Sequence, residues 1–347
     1  MRRPVTAGLP IVLLLVVLGT PFLHVHFSTP DERVLPTSSP ARQVGDILRA
    51  DFRSDVSDTL EIVAAPALPP QASAAFEREV SSVPGVAGVS TFTRAQATWL
   101  HAIISPPSGS GAAQHLVSEV RALPVPGGAT SYVGGPAAAL VDQKHDLGSK
   151  LPLAIGLIVL TTFVILFLFT GSVVLPAKAL VLNALSLTAV FGALVWIFQD
   201  GHLSGLLGFT PSPVSTTMPL LLFCIAFGLS MDYEVFVLSR IKELHDAGAS
   251  NNEAVVGGLA RTGRIVTTAA GLLAVTFFAF GLSKVSFIQM FGIGTGIAIV
   301  VDATLIRGIV VPAFMRLAGD ANWWAPPRLR RIHSRIGATE APAAHLA

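Results

Sequence analysis

Charge is what this sequence has least of. Only 13% of its 347 residues are Asp, Glu, Lys or Arg, against 52% that are hydrophobic, whereas a soluble domain carries roughly 25% charged residues. A chain so poor in charge cannot wet its own surface, and a mean hydropathy of +0.66 agrees. The net charge of +2 is too small and too scattered to argue for nucleic acid. Cysteine is nearly absent: Cys224 stands alone inside an apolar run. One cysteine closes no internal disulfide and builds no cysteine metal cluster. There is no Gly-Lys-Ser/Thr phosphate loop, so the sequence offers no means of ATP hydrolysis and no cofactor is implied. An ion gradient is the remaining energy source, at ~2.3 kcal/mol per charge per 100 mV.

What the chain does have is long apolar runs. The first, Leu9–Leu23, follows Arg2 and Arg3. It exits through Pro21-Phe22-Leu23-His24-Val25-His26, which lacks the small-x-small pattern of a cleaved signal. It reads as an uncleaved span. Five more follow: Leu151–Phe169, Ala179–Phe198, Val214–Leu238, Ile265–Leu282 and Phe287–Val311. Each comes close to or passes the ~20 residues that cross ~30 Å of hydrocarbon. Backbone groups in lipid must bond internally, so the runs are helices.

Orientation comes from the basic residues. Arg2 and Arg3, Lys178, then Arg240, Lys242, Arg261 and Arg264, and finally Arg316, Arg328, Arg330, Arg331 and Arg335 occupy alternate connections. With six spans they fall on one side, and the positive-inside rule puts both termini in the cytoplasm. The division that follows is 1–27, cytoplasmic N-terminus and first span; 28–148, an extracytoplasmic domain; 149–317, spans two to six with a cytoplasmic loop at 240–264; and 318–347, a basic cytoplasmic tail. The extracytoplasmic segment opens on Pro and Ser, as a linker does. Strands are expected at Thr59–Val63, Val86–Phe92, Ala97–Ile104 and Ala129–Val133, and helices at Ala72–Val83 and Ala112–Leu123. The order is β-α-β-β-α-β, the split βαβ arrangement. A helix from Pro136 to Lys150 leads into span two. In the loop, Ser250-Asn251-Asn252-Glu253 is a capping box opening a short helix through Arg261, expected to lie at the membrane surface.

Polar residues inside spans carry the chemistry. Asp232 and Tyr233 lie in the fourth run, where an aspartate costs ~2.5–3.5 kcal/mol on insertion scales. A carboxyl held in such surroundings can take up and release protons near neutral pH. Neighbours in sequence are ~100° apart on a helix, so the pair can face two different helices. The plainer alternative is a structural hydrogen bond between helices. Glu234 is expected at the cytoplasmic rim, solvated or paired with Arg. Asp302, five residues before Arg307, could pair with it or support a relay, together with Ser230 and Thr268. Thr267, Thr268 and Thr276 could line a polar path, although bonds to the preceding helical turn explain them as well. Lys284 can snorkel from an outer turn. Gly292, Gly294 and Gly296 are spaced for close helix approach.

Gly228-Leu229-Ser230-Met231-Asp232-Tyr233-Glu234-Val235-Phe236, followed by Ser239-Arg240, resembles the span-four signature of the MMPL transporters, in the resistance–nodulation–division (RND) superfamily. Pro30-Asp31-Glu32-Arg33-Val34-Leu35-Pro36, Val133-Gly134-Gly135-Pro136, Ala260-Arg261-Thr262-Gly263-Arg264, Val301-Asp302-Ala303-Thr304 and Asn322-Trp323-Trp324 are similar to the same family. The resemblance covers nearly the whole chain. It implies a six-helix RND-type bundle with a ferredoxin-like porter domain after span one, in a bacterial cell membrane. It also implies proton-driven export of lipids, glycolipids or hydrophobic compounds, with Asp232 and Tyr233 as the relay pair. Members usually have twelve spans in two halves, each with an Asp-Tyr pair. This chain is similar to the C-terminal half and shows no internal repeat, so a second half, identical or related, is the expected partner. Two other functions fit the residues: a non-transporting scaffold or regulator, and an intramembrane protease using Asp232 and Asp302. Met231 and Val301, rather than glycine, precede those two aspartates.

Overall fold

The computed structural model describes residues 4–51 and 58–336. Arg2 and Arg3, counted above in the orientation, lie outside the described residues, as does the end of the basic tail. The first half of the chain runs α1 (Pro4–Gly19), β1 (Phe27–Ser28), α2 (Pro40–Asp51), β2 (Thr59–Ala65), α3 (Pro70–Ser81), β3 (Val86–Arg94), β4 (Ala97–Ile104), α4 (Gly111–Ala122), β5 (Thr130–Gly134) and α5 (Pro136–Thr170). Then come α6 (Val174–Leu194), α7 (Ser204–Leu207), β6 (Val214–Ser215), α8 (Met218–Asp246), α9 (Asn251–Phe280), α10 (Ser286–Val300), α11 (Val311–Ala318) and α12 (Pro327–Ile336). Residues Val301–Val310 join α10 to α11 as a π-helix. Two compact units divide the chain, one of them formed by residues 26–152 and 213–216 and the other by the rest.

In the sheet unit, four strands pair antiparallel in the order β3-β4-β2-β5. Alternation decides which face each side chain takes. Leu60, Ile62 and Ala64 of β2 and Leu100, Ala102 and Ile104 of β4 point inward. They meet Phe76 and Val80 of α3 and Leu116, Val117 and Val120 of α4 in one apolar core. Helices therefore cover one face. On the other, Phe92, Trp99, Val63 and Tyr132 stand opposite one another across all four strands, and the Phe92 and Trp99 rings stack 6.1 Å apart.

The expected linker before β2 is partly a helix. In α2, Asp46 accepts hydrogen bonds from Arg42 Nε (2.8 Å) and Arg49 Nη2 (2.7 Å), residues four before and three after it. These are helix-neighbour spacings that stabilise a helix turn. Arg49 also binds Glu32. The hydrogen bonds from Arg49 and then Arg42 hold the Asp46 carboxyl below the usual carboxylate range. A lowered folded-state value means the stabilisation is complete above the unfolded value and is lost as pH falls through the folded one. Hydrogen exchange across residues 40–51 should lose protection below about pH 4. Asp46→Asn should lower protection at pH 7 and remove that acid step.

Among the described residues, six helices are long and apolar enough to cross a membrane: Pro4–His24, Pro136–Thr170, Val174–Gln199, Met218–Asp246, Asn251–Phe280 and Ser286–Trp323. Three expected boundaries are corrected. The lead-in helix and span two are one helix, α5. The short surface helix and span five are also one helix, α9, because nothing between Arg261 and Ile265 breaks it. Gly258 there lets α8 come close; a Cβ would lie 2.5 Å from Ile241 Cγ1. Span four starts at Met218, since Val214 and Ser215 pair as a parallel strand with Phe27 and Ser28.

Polar knots close both ends of the bundle. At one end His24 bonds Asp200 (3.2 Å) and its carbonyl accepts from Gln199 Nε2, while Gln289 Nε2 donates to the Leu207 and Gly281 carbonyls. At the other, fully buried Asn322 donates to the Met315 and Gly319 carbonyls and to Asn251 Oδ1. Trp323 donates to the same Asn251 oxygen and stacks on His245, centroids 4.1 Å apart. This ties together the ends of α8 and α11 and the start of α9. Asn322→Ala takes this donor from the Gly319 carbonyl, a loss of ~1–3 kcal/mol, while the Met315 carbonyl keeps Asn251 Nδ2 (3.0 Å), so a fall of a few degrees in the melting temperature of the detergent-solubilised chain is expected.

Candidate functional site

Among the described residues, the interior of the bundle holds two buried ion pairs. Asp302 and Arg307 bond at 2.7 Å, and Lys178 Nζ lies 3.4 Å from Glu234 Oε1. Relative exposures are 9% and 5% for the first pair and 4% and 6% for the second. In an α-helix, residues five apart point roughly 140° away from each other. Asp302 and Arg307 lie in the π-helical stretch, whose i→i+5 bonding stacks such residues one above the other. The backbone irregularity thus turns a mismatched spacing into a close pair.

Span four completes the cluster. Ser230 Oγ donates to Asp302 Oδ1 at 2.9 Å. The Ser230 carbonyl accepts from Arg307 Nη2, and the guanidinium carbon sits 5.3 Å from the centre of the Tyr233 ring. A cavity of ≈ 10 Å³, about one water in size, is lined by Ser230, Tyr233, Asp302 and Arg307 with Ala226, Ala270 and Ala298. Arg307 Nε and Nη1 have no hydrogen-bond partner among the described residues.

Asp232 is different. It lies fourteen residues from each end of α8 (Met218–Asp246), or about 21 Å at 1.5 Å per residue. It is on the exposed side of the helix, about 200° from Ser230, while Tyr233 is half-buried. No hydrogen bond or ion pair joins the Asp232 side chain to another described residue. The residues read from sequence thus separate. Ser230, Tyr233 and Asp302 come together. Asp232 faces away, so it does not share bonds with Asp302 as a protease dyad would. Thr268 is exposed on α9 and donates to the Arg264 carbonyl (2.8 Å), as Thr276 does to that of Leu272; neither joins the cluster.

Two residues were misplaced by sequence reasoning. Glu234 is buried rather than at the rim. Lys178 belongs inside α6 rather than to the connection between spans. Their signal was mutual: a lysine near the start of span three and a glutamate in span four, each too costly alone. The glycines act as expected: a Cβ at Gly294 would lie 2.9 Å from Leu194, and one at Gly296 2.7 Å from the Phe278 ring.

Known proteins are similar to this sequence. The MMPL family pattern matches residues 99–343. A protein of Streptomyces coelicolor, described as a membrane protein, is 39% identical over 340 residues, 98% of this chain and 47% of its own length. The trehalose monomycolate exporter MmpL3 of Mycobacterium tuberculosis is 44% identical over 228 residues, 66% of this chain and 24% of that one. The mycolic acid-containing lipids exporter MmpL11 of Mycolicibacterium smegmatis is 31% identical over 347 residues, 96% of this chain and 36% of its own. The chain spans less than half the length of each relative.

Breaking one partner of a buried pair costs ~3–5 kcal/mol, whereas removing both is often tolerated. Arg307→Met should therefore unfold at a clearly lower temperature than Asp302→Asn/Arg307→Met, as measured by thermal melting in detergent. Equal losses would mean that the pair is not coupled.

Proposed function

The chain belongs to the MMPL family, a family of transporters rather than enzymes, and from that premise we propose that it is one half of a proton-driven exporter. It is a multi-pass membrane protein, and its cargo is a lipid, glycolipid or other hydrophobic compound. The observation that carries this reading is Asp232, an unpaired carboxyl midway along a membrane-spanning helix and turned away from its own bundle. In hydrocarbon such a group needs cover and a partner. A second half, identical or related, supplies both when its own fourth span meets this one.

Asp232 then exchanges the proton and Tyr233 offers its hydroxyl to the facing carboxylate. Protonation removes a charge at the interface of the two halves and changes that hydrogen bond, and the spans shift against one another. Asp302 and Ser230 support the relay from behind by fixing Arg307 beside the Tyr233 ring. The sheet unit serves as an extracytoplasmic porter domain of ferredoxin-like order, with both chain termini in the cytoplasm of a bacterium. Names of relatives favour a lipid cargo: two of them are lipid exporters.

The test is Asp232→Asn in the native host. Native mass measurement of the purified complex should give two halves for wild type and variant alike, while export of labelled lipid falls at least tenfold in the variant. A monomer in both would overturn the paired relay. Unchanged export would remove Asp232 from it, leaving a scaffold role if the pairing persists.

A further inference from the structure

Helix α12 follows the sixth span and is pinned at a membrane face. The turn between α5 and α6 lies where the second span ends and the third begins, and it holds the segment before α12 directly. Val173 N–H donates to the Trp324 carbonyl at 3.1 Å, and Ser172 Oγ donates to the Asn322 carbonyl. From α12 itself, the His333 ring meets Phe167 edge-on, centroids 6.1 Å apart. Gly171, at φ +72°, makes room for that ring; a Cβ there would lie 2.9 Å from His333 Cε1. The helix is thus held level with the ends of two spans.

Its sequence, Pro-Arg-Leu-Arg-Arg-Ile-His-Ser-Arg-Ile, contains four arginines and no acidic residue. Leu329 and His333, four apart, turn inward. Arg328, Arg331 and Arg335 are exposed, and their spacing of three and four puts them in one stripe. None of α12's arginines makes an ion pair with a described residue. Ile332, 45% exposed, borders the stripe, and Trp324, 54% exposed, precedes the helix. Ten residues are too few to make a stable helix alone, so α12 depends on the surface it is tied to. A charge flank that only oriented the chain would need neither helical order nor an apolar edge.

We propose that α12 is a docking surface for anionic phospholipid head groups. Arg328, Arg331 and Arg335 engage the phosphates, while Ile332 and Trp324 seat at the head-group boundary. Charge complementarity and the helix's tie to the span ends favour a lipid over a soluble acidic partner: arginine rows beside apolar residues at that depth bind anionic bilayers. This does not depend on the transport reading.

The experiment uses the purified full chain in mixed micelles of phosphatidylglycerol and phosphatidylcholine, with retained lipids counted by native mass spectrometry. The chain should retain phosphatidylglycerol preferentially. Arg331→Gln should lower that preference about fivefold and Arg328→Gln/Arg331→Gln/Arg335→Gln by well over tenfold, at about fivefold per arginine. Salt at 0.5 M should weaken the wild-type preference in parallel. Arg78→Gln/Arg94→Gln, which removes two exposed arginines of the sheet unit, should leave it unchanged. If the triple variant does not fold, the single variant and the salt series decide. An unchanged preference in Arg331→Gln or the triple variant would overturn the proposal. So would an equal loss in the sheet-unit control, which would reduce the effect to general positive charge. Retention of phosphatidylglycerol by the triple variant together with loss of an acidic protein from the native complex would assign the stripe to that protein instead.

Discussion

Hydrocarbon accepts no hydrogen bonds and solvates no ions, so every polar group carried into it must find its partner within the protein. The helical unit is organised around that demand. The backbone meets it by forming six long helices. Side chains meet it by pairing, Asp302 with Arg307 and Glu234 with Lys178. The first pair shapes the helix that carries it, since only the π-helical stretch aligns residues five apart. The Ser230 carbonyl and the Tyr233 ring then take up part of the cation's surroundings, so one ion pair links the sixth span to span four. Against this set Asp232 stands out, an exposed carboxyl at mid-helix that pairs with no described residue.

The ends of the spans obey a different logic. There the backbone leaves helices, and its free carbonyls and N–H groups are collected by a few side chains. Asn322 collects two carbonyls and an amide oxygen by itself, and Gln289 collects two carbonyls at the opposite end. These knots fix the helix ends, while the middle of span four keeps one face uncommitted. The sheet unit follows water's rules: alternating strands bury one face under two helices and leave the other with an aromatic row.

The number of spans and the strand and helix order of the sheet unit were legible in the chain, and so was the presence of two carboxyl groups, Asp232 and Asp302, inside apolar runs. Apolar length, strand alternation and isolated intramembrane charge are local properties, and each has a fixed period or a fixed cost. Fusion of the lead-in helix with span two was less legible, since Pro152 reads as a break although α5 continues through it. Nor did sequence reveal the start of span four, where a distant strand, Phe27–Ser28, takes up residues that hydropathy alone assigns to the helix.

Partner choice lay beyond the sequence altogether. Lys178 and Glu234 are fifty-six positions apart, and either one read alone belongs at a membrane rim. Only the packing of α6 on α8 brings them within reach, and burial then makes each necessary to the other. In the same way the chain names Asp232 as a costly residue but says nothing of its direction. That is set by which side of α8 the neighbouring helices cover. Helical period and composition are written residue by residue, whereas the cost of a buried charge depends on what surrounds it, and only the assembled bundle supplies the surroundings.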